Sequence, residues 1–436
     1  MPKFSRGFSI YIVIPLILMW MVSVFTIPVF SSGYFHPVIG QPFPISTLPD
    51  PVDERAPAVA YNSQDHEFLV VWENDRPFAD NDIYAQRISV DGRLLSWFYV
   101  GEGSNPDVAY NPKHNDYLVV YSRLVASDID VFGQRVDYTG PFGSEIIIAN
   151  ALDVDEIRPR LDINTHPSHD SYLVVWYEID CAMVCYVNTR GQLVTGLEGA
   201  GTGGGNILAT ERDIAVGTTD YHLLPDVAYN LNHNEFLVVF SRDPSLAGDP
   251  QALDLIGRRM TAAGTLLPEE IIDASSGAQE YAAVAAYRLN AATPYLVIYD
   301  DYWNDTEGDV RGYLLNFEGA PMTWVNVATG PGHVENSPAI VSSEALGGYT
   351  VAWNEYFPGY GAWDVFARRV GNTGVMEDAF SVGWLMAASG CGGRYPAVGG
   401  GAPTALVAWT GSCFTSSDDI VGRLLGYQVH LPLILR

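Results

Sequence analysis

The stretch PAVAYNSQDHEFLVVW, Pro57 to Trp72, decides the fold because the chain keeps returning to it. It recurs as PDVAYNPKHNDYLVVY from Pro106 and as PDVAYNLNHNEFLVVF from Pro225. Its second half, FLVVW at Phe68–Trp72, is matched by YLVVY at Tyr117, YLVVW at Tyr172, FLVVF at Phe236, YLVIY at Tyr295, YTVAW at Tyr349 and ALVAW at Ala405. These runs are short and rich in β-branched and aromatic residues, which predicts strands. They are apolar at successive positions, so each strand must be covered on both faces of its sheet.

Each run has companions. A shorter element precedes it, beginning at Pro57, Pro106, Pro159, Pro225, Ala282, Pro338 and Pro396, and a polar turn joins the two as a hairpin. A third element follows, DIYAQRI at Asp82, DVFGQRV at Asp130, DLIGRRM at Asp254, DVRGYLL at Asp309, DVFARRV at Asp364 and DIVGRLL at Asp419, with Cys181 at the Asp position of the third repeat. Ten residues beyond that position stand Gly92, Gly140, Gly191, Gly264, Gly319 and Gly374, which mark a turn into a fourth strand. Seven such repeats predict an all-β chain, a seven-bladed β-propeller of four-stranded antiparallel blades, because a ring covers both faces of every sheet. The last repeat has Val429 where the turn glycine belongs, while Gly40 lies one repeat phase ahead of Pro57. An N-terminal strand at Pro42–Leu48 is therefore expected to complete the last blade and close the ring.

The combination VAYNPxxN(D/E)(Y/F)LVVW with DI(Y/F)(A/G)QRV and a later glycine resembles the repeats of secreted bacterial β-propeller proteins, over nearly the whole chain from residue 40. The resemblance implies a propeller held at or beyond the cell surface. The closing HLPLILR resembles short tails of exported bacterial repeat proteins. The domains expected are an export segment over residues 1–31, the ring over 40–429 and a tail over 430–436.

The N-terminus supports export independently. Lys3 and Arg6 precede an apolar run over residues 7–30, and no acidic residue occurs before Asp50. This is the pattern of a signal peptide, cleaved after Ser31, or of an uncleaved anchor through residues 7–30. Either leaves the ring outside, extracellular or on the cell surface, with the positive residues inside. Removing Lys3 and Arg6 takes the net charge from −28 to −30, a surface that repels phosphate backbones and excludes nucleic acid as a partner. Lys113 is then the only lysine, which removes nearly every candidate for Schiff-base chemistry.

Few residues combine into a chemical signature. The third-strand aspartates lie one per blade and read as turn caps. Arg87, Arg135, Arg259 and Arg369 read as bridges between blades, and His66, His114, His169 and His233 as turn residues. GAGTGGG at Gly199–Gly205 lacks the Gly-Lys-Ser/Thr of a phosphate loop. Asp107, Arg160 and Asp226 share one repeat position in three adjacent blades and are expected at the channel mouth, where paired carboxylates could serve a carbohydrate-active enzyme.

The loops between second and third strands of blades five and six read DDYWNDTEGD and NEYFPGYGAWD. They carry Tyr302, Trp303, Tyr356, Phe357, Tyr360 and Trp363 beside Asp and Asn. Such rings either pack a mini-core over the blade tops or stack on a glycan or anchor a protein partner. The neighbouring carboxylates also allow Ca²⁺, although no standard calcium loop is present. Of the four cysteines, Cys391 and Cys413 flank strands of the last blade at one end of the ring and are expected to form a disulfide. Cys181 and Cys185 would need a tight turn to pair. These features favour a non-catalytic binding or adhesion module for a glycan or protein ligand, with the enzyme as the alternative.

Overall fold

The structure is a computed structural model that describes residues 38–426 apart from 47–51, 77–80, 182–184, 202–204, 245–252, 303–307, 345–346, 360, 384–391, 402–403 and 413–416. The export segment, the tail, Trp303, Tyr360, Cys391 and Cys413 lie outside the described residues. Within them the chain is a seven-bladed β-propeller, each blade a four-stranded antiparallel sheet. Strands one to four run outward from the axis. Blade one comprises Asp53–Asn62, Glu67–Asp75, Asp82–Ser89 and Leu94–Glu102.

The doubly apolar second strand does what its pattern requires. In blade one, Leu69 and Val71 pack with Val108, Tyr110 and Val119 of blade two. Phe68, Val70 and Trp72, on the other face, pack with Leu406, Ala408 and Ile420 of blade seven. Alternate residues of one strand thus feed two different inter-blade cores. Every second strand is buried over its central run. Each fully buried Leu, Val or Phe contributes roughly 1.5–3 kcal/mol.

Ring closure is by the N-terminal strand, shifted from its expected place. Val38–Pro44 pairs antiparallel with Asp419–Gly426, Val38 opposite Leu425 and Pro44 opposite Val421. Gly40 is therefore inside the strand, not at a turn. It sits at a bulge between Ile39 and Phe43, with φ 71°, and its carbonyl accepts the Arg423 guanidinium at 3.0 Å. Ile45 continues the closure, fully buried against Ile88, Leu406 and Ile420. Its N–H donates to the Ile420 carbonyl at 2.7 Å.

The third blade departs from the expected register. Its third strand is Tyr186–Thr195, in which Gly191 pairs with Val175 just as Gly133 pairs with Val120 in blade two. Asn188, not Cys181, therefore holds the aspartate position, and NTRGQLV is the third copy of DVFGQRV. A loop closed by a Cys181–Cys185 disulfide, with Cα atoms 4.0 Å apart, supplies the extra residues and the tight turn that the pairing needs. Gly92, Gly264, Gly319 and Gly374 do sit in the expected turns, with φ of 82° to 87°, a region closed to most side chains.

Of the four arginines read as bridges, Arg87 reaches the Tyr138 carbonyl, Arg135 those of Thr195 and Gly196, and Arg259 that of Glu318, each in the next blade. Arg369 pairs with Glu377 in its own blade. Asp364 caps Val365 N–H as expected, whereas Asp82, Asp254 and Asp309 pair with Arg76, Arg242 and Arg311.

Ile45→Ala should lower stability by about 2–5 kcal/mol, the cost of truncating a fully buried aliphatic side chain. Urea denaturation measures it. An unchanged midpoint would mean that the clasp carries no part of the ring's stability.

Candidate functional site

The site begins with a backbone irregularity that the sequence repeats seven times. Every innermost strand breaks register with two residues left unpaired, between Arg55 and Ala58, Ser104 and Asp107, Ile157 and Arg160, Leu223 and Asp226, Glu280 and Ala283, Asn336 and Ala339, and Arg394 and Ala397. At each break one non-glycine residue is left-handed: Ala56, Asn105, Arg158, Leu224, Tyr281, Ser337 and Tyr395, with φ between 48° and 54°. Six of the seven precede proline, which disfavours helical backbone in its predecessor. Such strain persists only where neighbours over-determine it. All seven face one central cavity of 1390 Å³, lined by the innermost strands of all seven blades.

For two of the seven, carboxylates from adjoining blades supply the determination. Glu73 of blade one accepts the N–H of Asn105 at 2.6 Å, and Asp300 of blade five that of Ser337 at 3.1 Å. Further along the wall, Asp107 accepts from Leu161 at 3.0 Å, Asp162 from Tyr229 at 2.7 Å and Asp226 from Val284 at 2.8 Å. Each of these side chains accepts a hydrogen bond from the first strand of the next blade. At the closing junction Glu54 accepts Ile420 N–H at 3.2 Å.

Asp107, Arg160 and Asp226 are thus brought to one wall, as their shared repeat position implies, but the two carboxylates are not free rim charges. Both are half-buried beside the cavity and engaged with backbone. Packed protein raises the pKa of both, that of Asp226 to about 7, with Arg160 opposing the shift. Glu280 differs: it lines the same cavity, burial raises its pKa, and its side chain makes no hydrogen bond among the described residues.

The aromatic loop residues divide. Tyr302 and Trp363 line the cavity at the end where second strands lead into third strands. Tyr356 backs Trp363, with ring centroids 5.2 Å apart, and Phe357 packs on His333 and Phe366 at 4.9 and 5.8 Å. These two form a mini-core behind the wall. The Arg394 guanidinium lies 5.3 Å from the Trp363 ring and Arg158 lies 5.8 Å from that of Tyr281. Tyr281 and Tyr395 are exposed. Sequence reading missed Arg158, Tyr281, Arg394 and Tyr395, although the residue before each repeat's leading Pro or Ala was a signal to be had.

The four turn histidines stay apart. His66 bonds Tyr61, His114 pairs with Asp170, His169 bonds Ser168, and His233 stacks on Phe317.

No protein-family model matches this sequence, and no curated protein matches it. Solved structures do share its architecture. The α-L-arabinanase of Penicillium chrysogenum, solved with arabinobiose, is 11% identical with a TM-score of 0.50, covering 89% of this chain and 98% of that one. The endosialidase of phage phi92 is 9% identical with a TM-score of 0.49, covering 90% and 70%. The Dos1 propeller is 10% identical with a TM-score of 0.47, covering 91% and 96%. At 11% identity the likeness to the arabinanase is one of fold alone.

The desolvated carboxyls set a pH dependence. Asp162, Asp226, Glu54 and Glu156 are raised to about 6, 7, 7 and 8, mainly by burial. Each holds its proton in the fold over a range where the unfolded chain, titrating near 4, has released it. Their contribution is full below pH 4 and is lost as pH rises through 6 to 8. The melting temperature should therefore be higher at pH 5 than at pH 8. A melting temperature that rises across that interval would contradict the burial of these groups.

Proposed function

We propose that this chain is an extracellular glycan-binding propeller whose ligand seats in the central cavity at the aromatic end. The observation that carries the reading is the joint presence, on one concave wall, of Tyr281 and Tyr302 from blade five, Trp363 from blade six and Tyr395 from blade seven. Aromatic rings lining a cavity together with Arg158, Arg394 and Glu280 suit a sugar, whose apolar face stacks while its hydroxyls hydrogen-bond. A cavity of this depth fits an oligosaccharide better than the flat face of a folded protein. The secreted location follows from the N-terminal segment, and the glycan choice agrees with arabinobiose in the arabinanase that shares the fold.

Trp363→Ala should weaken binding by about 2 kcal/mol, or roughly thirtyfold, on an array of arabinan, uronate and sialyl oligosaccharides. Wild-type affinity in that variant would move the site away from this end of the cavity.

A second reading, a glycoside hydrolase, is favoured by one observation. Glu280 has the raised pKa of a general acid and stands in the cavity without a structural hydrogen bond. Asp107 and Asp226, bound to Leu161 and Val284, fit that role less well. Release of reducing sugar by the wild type and its loss in Glu280→Gln would establish hydrolysis. Binding without release, in both proteins, supports the lectin-like reading.

A further inference from the structure

Blade six opposes two acidic side chains with no arginine or lysine paired to either among the described residues. Glu335, on its first strand, is the register partner of Glu355 on its second. His333, just before the first strand, completes a group whose donor atoms all lie within 4.8 Å of one another. His333 Nδ1 is 2.6 Å from Glu355 Oε1. Glu335 is only 2% exposed. Its Oε1 accepts Gly330 N–H at 3.0 Å, while its Oε2 is buried without any hydrogen-bond partner. An ionised oxygen in that condition costs several kcal/mol unless a cation or a proton meets it.

The ring contains its own comparison. In blade three Glu156 opposes Glu178, and Glu156 Oε1 takes Ala151 N–H at 2.9 Å, five residues back as in blade six. There Glu156 Oε2 is likewise buried without a hydrogen-bond partner among the described residues, and Arg190, the partner of Trp176, places a guanidinium 2.7 Å from the second carboxylate, Glu178. The corresponding partner of Trp353 in blade six is Phe366, which carries no charge. The acidic pair is kept, the arginine is gone and an imidazole has been added.

We infer that His333, Glu335 and Glu355 bind one divalent cation of the zinc type, which takes the place that Arg190 holds in blade three. One imidazole nitrogen and two carboxylates form a donor set for zinc or manganese, whereas calcium asks for six to eight oxygens. Tetrahedral zinc with bonds of about 2.1 Å spaces its ligands about 3.4 Å apart, so His333 Nδ1 and Glu355 Oε1, now hydrogen-bonded at 2.6 Å, would part by about 0.8 Å to take it up. His333 is partly exposed, which leaves an approach from solvent and room for water as the fourth ligand. The site adjoins Asn336 and Ser337 of the cavity wall. Metal there would fasten the first strand of blade six to the second beside the bulge.

The test is calorimetric titration of the chelator-treated protein with ZnCl₂ and, separately, CaCl₂, alongside thermal melts. One zinc per chain should bind and raise the melting temperature, with calcium weaker. His333→Ala and Glu355→Gln should each weaken zinc binding at least about tenfold, with near-UV circular dichroism unchanged. Glu156→Gln, which alters the blade-three counterpart, should bind zinc like the wild type. Absence of zinc binding, preference for calcium, equal binding in His333→Ala and Glu355→Gln, or loss of binding in Glu156→Gln would each overturn the assignment.

Discussion

The hydrogen bond that a desolvated carboxyl group accepts from the backbone N–H of the next blade is the interaction around which this ring is organised. A propeller blade has no hydrogen-bonded strand partner in its neighbour, so side-chain packing alone would let blades slide. Glu73, Asp107, Asp162, Asp226 and Asp300 each bind a single N–H across a junction and so index one blade against the next. Two of those N–H groups belong to left-handed residues at the strand bulges. The contact that sets blade position therefore also holds the strained backbone that shapes the cavity.

Packing and indexing divide the work by radius. The second strands fill the inter-blade cores with aliphatic and aromatic side chains and supply the largest fully buried aromatic rings. The first strands, nearer the axis, give up ladder pairing at the bulge and turn those residues toward the cavity. Variation is thereby confined to positions such as Arg158, Tyr281 and Tyr395, whose side chains can change without disturbing a core.

Much of this was legible in the sequence because burial on both faces leaves an unmistakable apolar run, repeated seven times. Closure was legible from a missing turn glycine, though its register was not, since Gly40 occupies a bulge. The third blade was misaligned because the disulfide loop at Cys181–Cys185 displaced the motif, and NTRGQLV has kept only its glycine, glutamine and final valine in common with DVFGQRV. The cavity lining was harder to see. Asp107 and Asp226 were visible as charges at a repeat position, but a carboxylate bound to backbone looks the same in sequence as one facing a ligand. Tyr302 and Trp363 stood out by composition, yet only packing separates them from Phe357, which turns inward on Phe366.

The clasp also orders events in time. Gly40 and Arg423 are 383 residues apart, yet they touch. Bringing ends together over that span in an unfolded chain costs about 3 kcal/mol more than closing a ten-residue hairpin. That difference shrinks as intervening blades form and shorten the path between the ends. The strand that leaves the ribosome first is thus the one that docks last, and until it does, the third strand of blade seven presents an open edge to solvent and to other chains.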